Sequence, residues 1–433
     1  MRSEILRFLC TALLLAVFTA AAPFASAHDD DDDDGGSRGR HWVTAWGTSQ
    51  QPNTTPVPVT NATVRMMVRV TIPGDVIRIR VDNTFGPAPV AIGRAHVAQR
   101  QRLALVAAGS SRPLTFRGSP SVTIPAGGSV TSDAVSIRVY AQHDLAVSLY
   151  IPGNGVIASQ HGGAVTTSYR SPDGSGDQSA NETTTPFTQT VSSFMWVKAV
   201  DVLTDRSVRS VVAFGDSITD GTCNTLDAND RWHNIASVRM DTEAKRGVGR
   251  SMSERFATKR AFVNEGIGGN TVTRATLVPP PESIPGIERL NRDVLSHSGV
   301  AEVVLFMGTN DIRREASAQD VISGMQNIIA RVKARGLKIY GATIIPRHNV
   351  PASGTNTGWN DAKTAIRNQV NDWIRHSRAF DGVLDFDRVV RDPADPDLIF
   401  PPFNCGDGIH PSPIGYYQMG KSVDLDLFGG GRD

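Results

Sequence analysis

The stretch SVVAFGDSITDG, Ser210 to Gly221, is a short apolar run that breaks into Gly, Asp and Ser. A run of this length closed by such residues reads as a buried strand turning into a helix. The same alternation continues downstream. Val300 to Met307, Leu337 to Ile345 and Gly382 to Phe386 are further apolar strand candidates, and Ala261 to Val263 is a shorter one. Between them, Ala318 to Arg335 carries Val321, Met325, Ile328, Ile329 and Val332 at helical spacing. Asn360 to His376 does the same with Ala365, Ile366, Val370, Trp373 and Ile374. Strands alternating with helices predict a parallel sheet covered on both faces, with its ligand crevice at the carboxyl ends of the strands.

Upstream the pattern is different. From His41 to about Asp205 the runs alternate with a period of two: Thr63 to Ile72, Val76 to Asn83, Ser121 to Ile124, Val135 to Tyr140 and Leu145 to Ile151. Ile77, Ile79 and Val81 share one face and Arg78 and Arg80 the other, which predicts one face buried and one wet. Pro73-Gly74-Asp75 and Pro152-Gly153-Asn154 are turns, and Ser171 to Thr185 is a long polar loop. The expectation is an all-β, jelly-roll-like sandwich over residues 41–205, followed by an α/β domain over 206–433.

The first 40 residues belong to neither. Arg2 and Arg7 precede an apolar run from Phe8 to Ala22 that ends in Ala25-Ser26-Ala27, so residues 1–27 read as a signal peptide cleaved near Ala27, with the chain exported. Residues 28–40, HDDDDDDGGSRGR, repel themselves and have nothing to bury, which reads as a disordered linker. A length of 433 residues with 40% hydrophobic and 20% charged residues suits two folded units with real cores. Lys+Arg 44 against Asp+Glu 43 leaves a net charge of +1 and no dense basic block, which argues against nucleic acid as the main partner. No stretch of the mature chain is long and apolar enough for stable membrane insertion.

Chemistry concentrates at the ends of the α/β strands. Ser217 follows a buried strand at a helix start, where it suits either a nucleophile or an N-cap. The C-terminal GDGIHPS places Asp407 three residues before His410, an acid and a base on one loop. A serine hydroxyl needs a base to take its proton, and the base needs a partner that fixes its tautomer. Two further strand-end segments offer donors to an oxyanion: Gly269 in NEGIGGNT and Asn310 in GTND, joined by the Ser217 N–H.

Taken together, GDSITDG, GIGGNT, GTND and DGIH resemble the four ordered blocks of the SGNH/GDSL hydrolase superfamily, with Ile218 where the eponymous motif has Leu. The resemblance covers about Val211 to Met419 and implies a flavodoxin-like three-layer fold and an acyl-enzyme mechanism. In it Ser217, His410 and Asp407 form the triad, and Ser217, Gly269 and Asn310 the oxyanion hole. The finer features RDVLSHSGV, GLKIYGATIIP, FDGVLDFD and RDPADPD resemble the arylesterase and acylhydrolase branch associated with xylanase gene clusters. That implies an ester substrate, either a small aryl ester or an acylated plant polysaccharide, and no cofactor or metal. A lipase or phospholipase type of acylhydrolase is the alternative within the class.

Cys223 lies six residues after Ser217 and Cys405 five before His410, so a folded triad brings the two thiols together as a disulfide. Two other classes make opposite demands on the sequence. A metal-dependent phosphoesterase needs clustered histidines, yet no two of the ten His lie within four residues. A non-catalytic carbohydrate-binding protein has no use for four intact blocks.

Overall fold

The computed structural model describes residues 39–52, 55–246, 259–354 and 356–428. The signal peptide expected at residues 1–27, and all but the end of the 28–40 linker, lie outside the described residues. Gly39–Asp433 forms a single compact unit.

Its amino-terminal half is built on two main antiparallel sheets, with two short two-stranded ribbons beside them. One main sheet orders Arg40–Gly47, Val197–Asp205, Gly74–Asp82 and Val135–Val139 side by side, and the other is built around Ala62–Val70, His143–Ile151 and Arg94–Arg102. Ile77, Ile79 and Val81 from the first meet Val64, Met66, Val147 and Leu149 from the second in a shared core. The expected strands are present, but the outer face of Gly74–Asp82 is not wet. Arg78 and Arg80 both pair with the buried Asp201 carboxylate, each at 3.0 Å, and donate to Ser298 Oγ in the other half of the chain. Burial would raise Asp201's pKa, and the two guanidiniums with the Thr44 hydroxyl bring it down instead. The second sheet is covered too: Met67, Ala98, Ala146, Tyr169 and Phe187 form a smaller apolar cluster on its far side.

The carboxyl-terminal half holds five parallel strands. Counted along the chain from Arg209–Gly215, the second, first, third, fourth and fifth lie side by side, the flavodoxin-like order. Successive side chains alternate between layers, as a pleated strand requires. Val212, Phe214, Val303 and Leu305 pack under the helices Ala318–Lys333 and Asp361–His376. Val211, Ala213, Val304 and Phe306 pack under Trp232–Arg246 and Pro413–Ser422.

Two strand ends differ from expectation, each for a local reason. The ladder of the fourth strand stops at Ala342 rather than Ile345, because the Asn371 side chain takes over as its partner: Ile344 N–H donates to Asn371 Oδ1 at 2.7 Å and Asn371 Nδ2 donates back at 2.8 Å. The fifth strand stops at Leu384 because Asp385 caps a helix that begins at Phe386. On Asp361–His376 the expected stripe packs in the core through Val370, Ile374, Ile366 and Trp373, with Ala365 exposed, and Lys363, Arg367 and Asn371 are buried beside it.

The halves meet along the strand Arg40–Gly47. Thr44 N–H donates to Ser298 O at 3.0 Å, and Ser210 Oγ donates to Thr44 O at 2.8 Å. Gly47 lies so close to the edge of the parallel sheet that a Cβ there would fall 2.7 Å from Val263 Cγ1.

Candidate active site

The strand Arg209–Gly215 delivers its last residues to the carboxyl edge of the sheet, where Asp216 caps the short helix Ser217–Asp220 by accepting from Ile218 N–H. A Cβ on Gly215 would lie 2.2 Å from Thr219 Oγ1, so only glycine permits this tight turn. Ser217 therefore occupies the first helical position and is not itself the cap. Its Oγ stands 2.8 Å from His410 Nε2.

His410 comes from a loop shaped by its own polar groups. Asn404 Oδ1 accepts from Gly406 N–H and Gly408 N–H, Cys405 N–H donates to His410 O at 3.0 Å, and His348 N–H holds Gly408 O at 2.8 Å. Asp407 Oδ1 accepts from the N–H groups of Ile409 and His410, both at 2.8 Å, which turns Oδ2 onto His410 Nδ1 at 2.5 Å. Partial burial alone would push the Asp407 carboxyl up. The His410 ring and the backbone donors outweigh it and hold the group down at about 2. An ionised Asp407 accepts only, so the proton sits on His410 Nδ1 and the Nε2 lone pair faces Ser217.

Gly269 lies in a turn, and Asn310 in the first turn of the short helix Thr309–Arg313. Gly269 sits at φ +70°, a left-handed conformation that glycine adopts without strain. The next residue, Asn270, joins the two turns by accepting at its backbone carbonyl from Asn310 Nδ2 at 3.0 Å. Asp311 fixes the far side by accepting from Val272 N–H and Thr273 N–H. Burial drives two carboxyls here well above their ordinary range, Asp216 to about 6 and Asp311 to about 7, against the pull of their backbone donors.

Behind these turns lies a residue that the motif reading passed over. Arg289 is buried over the Phe214 ring, with Cζ 4.2 Å from its centroid. It donates to Gly215 O at 2.9 Å, to Asn270 Oδ1 at 3.0 Å and to Ser49 Oγ at 2.8 Å, and pairs with Asp293 at 3.2 Å. One guanidinium thus joins the strand end that carries Ser217 to the turn that carries Gly269. Ser49 comes from the β half, as does His161, whose Nε2 meets Asp220 Oδ1 at 2.9 Å beneath the Ser217 helix. Only the spacing in ERLNRD, with Arg289 four residues before Asp293, hinted at this.

Cys223 and Cys405 form a disulfide, with Cα atoms 6.2 Å apart. Among the described residues, the one group that could hold a metal is Cys223, Cys405 and Asp407, and the bridge occupies both sulfurs. No described helix is long and apolar enough to cross a membrane.

No curated protein matches the chain. Solved structures similar to it include Est24, a carbohydrate acetylesterase from Sinorhizobium meliloti, at 18% identity and TM-score 0.36 over 49% of this chain and 94% of that one. An M. smegmatis aryl esterase in an inhibitor-bound form matches at 16% and TM-score 0.36, again over 49% and 94%. A member of the lipolytic protein G-D-S-L family from Veillonella parvula matches at 18% and TM-score 0.33 over 49% and 95%. The model of the GDSL-like lipase/acylhydrolase family matches residues 213–418, and the α/β half of this chain is accordingly a domain of that family, a hydrolase acting on carboxylic esters.

Proposed function

We propose that the protein is an exported serine esterase in which Ser217 is the nucleophile, His410 the general base and Asp407 the group that orients the base. The observation that carries this reading is the continuous Ser217 Oγ, His410 Nε2 and Nδ1, Asp407 Oδ2 chain, at 2.8 Å and 2.5 Å. His410 Nε2 takes the hydroxyl proton as Ser217 Oγ attacks the ester carbonyl. The oxyanion that forms is received by the N–H groups of Ser217 and Gly269 and by the Asn310 side-chain amide, each such donor contributing about 2.7 to 4 kcal/mol of barrier lowering. The C–O bond to the alcohol then breaks, and the alcohol leaves with the proton from His410. Water repeats the sequence on the acyl-enzyme, giving up a proton to His410 and releasing the acid and Ser217.

Asp407 stays ionised throughout and stabilises the imidazolium that appears in each half-reaction. Small aryl esters and acylated plant polysaccharides are the substrates in this reading, and residues 41–205 are an accessory β domain to the catalytic domain at 206–433. A panel of 4-nitrophenyl esters of graded chain length, run beside acetylated xylan, tests the activity. Mass spectrometry after treatment with an aryl phosphonate tests the nucleophile. Labelling is expected on a single peptide at Ser217, and turnover with no label at Ser217 would overturn the assignment.

A further inference from the structure

Arg347 follows the fourth parallel strand on the loop that leaves the carboxyl edge of the sheet. It is 4% exposed, and its Nε has no partner. Among the described residues nothing accepts from its two terminal nitrogens either, and unlike Nε these are not among the fully buried atoms. The other large buried guanidiniums are all engaged: Arg65 donates to Ala104 O, Arg231 to Ala164 O, Arg289 to Gly215 O and Arg367 to Asp397. A buried charge without an acceptor is expensive, and folded chains ordinarily supply one. Here Cζ lies over the Trp359 ring, 5.1 Å from its centroid, a contact that uses none of the N–H groups.

The location is the second observation. His348, the next residue, holds Gly408 O in the loop that carries Asp407 and His410. Arg347 feels the charges of both Asp216 and Asp407, which flank the Ser217–His410 pair, and that of a second cation, Arg313. Neither carboxylate serves as its partner: Asp407 is committed to His410 and two backbone N–H groups, and Asp216 to Ile218 N–H. We infer that Arg347 is a subsite for a carboxylate carried by the ester substrate, so that the enzyme prefers acid-bearing esters such as those of uronic-acid glycans or carboxyaryl alcohols. A planar guanidinium fork matches a carboxylate with two parallel hydrogen bonds. The inference deepens the esterase reading of the same site and rests on it.

The test uses matched esters that differ by one carboxylate. Phenyl acetate against 3-acetoxybenzoate puts the charge on the alcohol side, and 4-nitrophenyl butyrate against mono(4-nitrophenyl) glutarate puts it on the acyl side. The wild-type chain should prefer the charged member of one pair by about 10- to 100-fold in kcat/KM, as a hydrogen bond to a charged group implies. Arg347→Gln should reduce that ratio to near one, and Arg347→Lys should fall between, since it keeps the charge and loses the fork. Melting curves establish that each variant is folded, and Arg347→Lys carries the test if Arg347→Gln is not. Ratios near one for the wild type in both pairs, or a preference that survives Arg347→Gln, would overturn the subsite. If the wild type turns over no ester, the esterase reading fails separately. Benzoate binding by calorimetry then decides the subsite, supported if Arg347→Gln abolishes binding and refuted if it does not.

Discussion

Replacing both Cys223 and Cys405 by Ser removes the covalent tie between the loop after Ser217 and the loop before His410 without leaving a free thiol. The two residues are 182 apart in sequence, and the loop-entropy relation for a closure of that size gives about 5 kcal/mol. Spread over a folded unit of about 400 residues, each contributing about 2.1 cal/mol/K to the entropy of unfolding, this corresponds to a fall in Tm of about 6 °C. The effect on rate follows from what remains. Tyr416 Oη still donates to Thr222 O at 2.9 Å, so the two segments stay neighbours, and the backbone bond from Cys405 N–H to His410 O at 3.0 Å keeps the shape of the His410 loop itself. The register between the segments is then held by hydrogen bonds alone, and a drift of about 1 Å between Ser217 Oγ and His410 Nε2 lowers kcat by up to about 100-fold. Thermal melting by circular dichroism, with steady-state kinetics on 4-nitrophenyl acetate well below Tm, reads both quantities. A double variant with the wild-type Tm and kcat would refute the reasoning.

His410→Ala is expected to lose at least about 1,000-fold in kcat, while Asp407→Asn keeps more residual turnover because the loop backbone still orients the ring; an Asp407→Asn activity equal to the wild type's would move the orienting role elsewhere. Arg289→Lys cannot span Gly215 O, Asn270 Oδ1 and Ser49 Oγ at once, and should lower kcat by about 10- to 100-fold with KM nearly constant; a KM effect alone would remove Arg289 from the support of the oxyanion turn. Asp216 binds its proton up to about pH 6 when folded and to about pH 3.9 when unfolded, so its contribution to stability is full below the lower value and is lost as pH rises through the upper one. Asp216→Asn keeps the cap and removes this loss, and its Tm should fall less than the wild type's between pH 4 and 7; parallel Tm profiles would contradict the burial argument.

Apolar periodicity was enough to find the strand Arg209–Gly215 and the helix Ala318–Lys333, because their buried positions are Val, Ile, Met and Phe. On Asp361–His376 it found Ile366, Val370, Trp373 and Ile374 but could not register Lys363, Arg367 and Asn371, which are buried as well. It misjudged the outer face of Gly74–Asp82. Arg78 and Arg80 look solvated in the sequence, and only the fold supplies Asp201 and Ser298 as their partners. The grouping of Ser217, Asp407 and His410, which the fold brings into hydrogen-bond reach, could be read from the sequence because the roles proposed for them call for those residue types at strand ends and loops. Arg289, Asn270 and Ser49 could not, since their work is to join segments as far apart as residues 49 and 289. Arg347 carries no motif and stands out only through its burial without an acceptor.

The central claim is that Ser217 performs the chemistry, and Ser217→Ala tests it most directly. The hydroxyl contributes little packing, so the variant should melt with the wild-type protein. Its kcat/KM on 4-nitrophenyl acetate, measured beside the wild type at pH 7.5, should fall to the level of the uncatalysed reaction plus whatever the oxyanion donors alone provide. A folded Ser217→Ala protein that still turns over the ester at a rate near the wild type's would contradict the account.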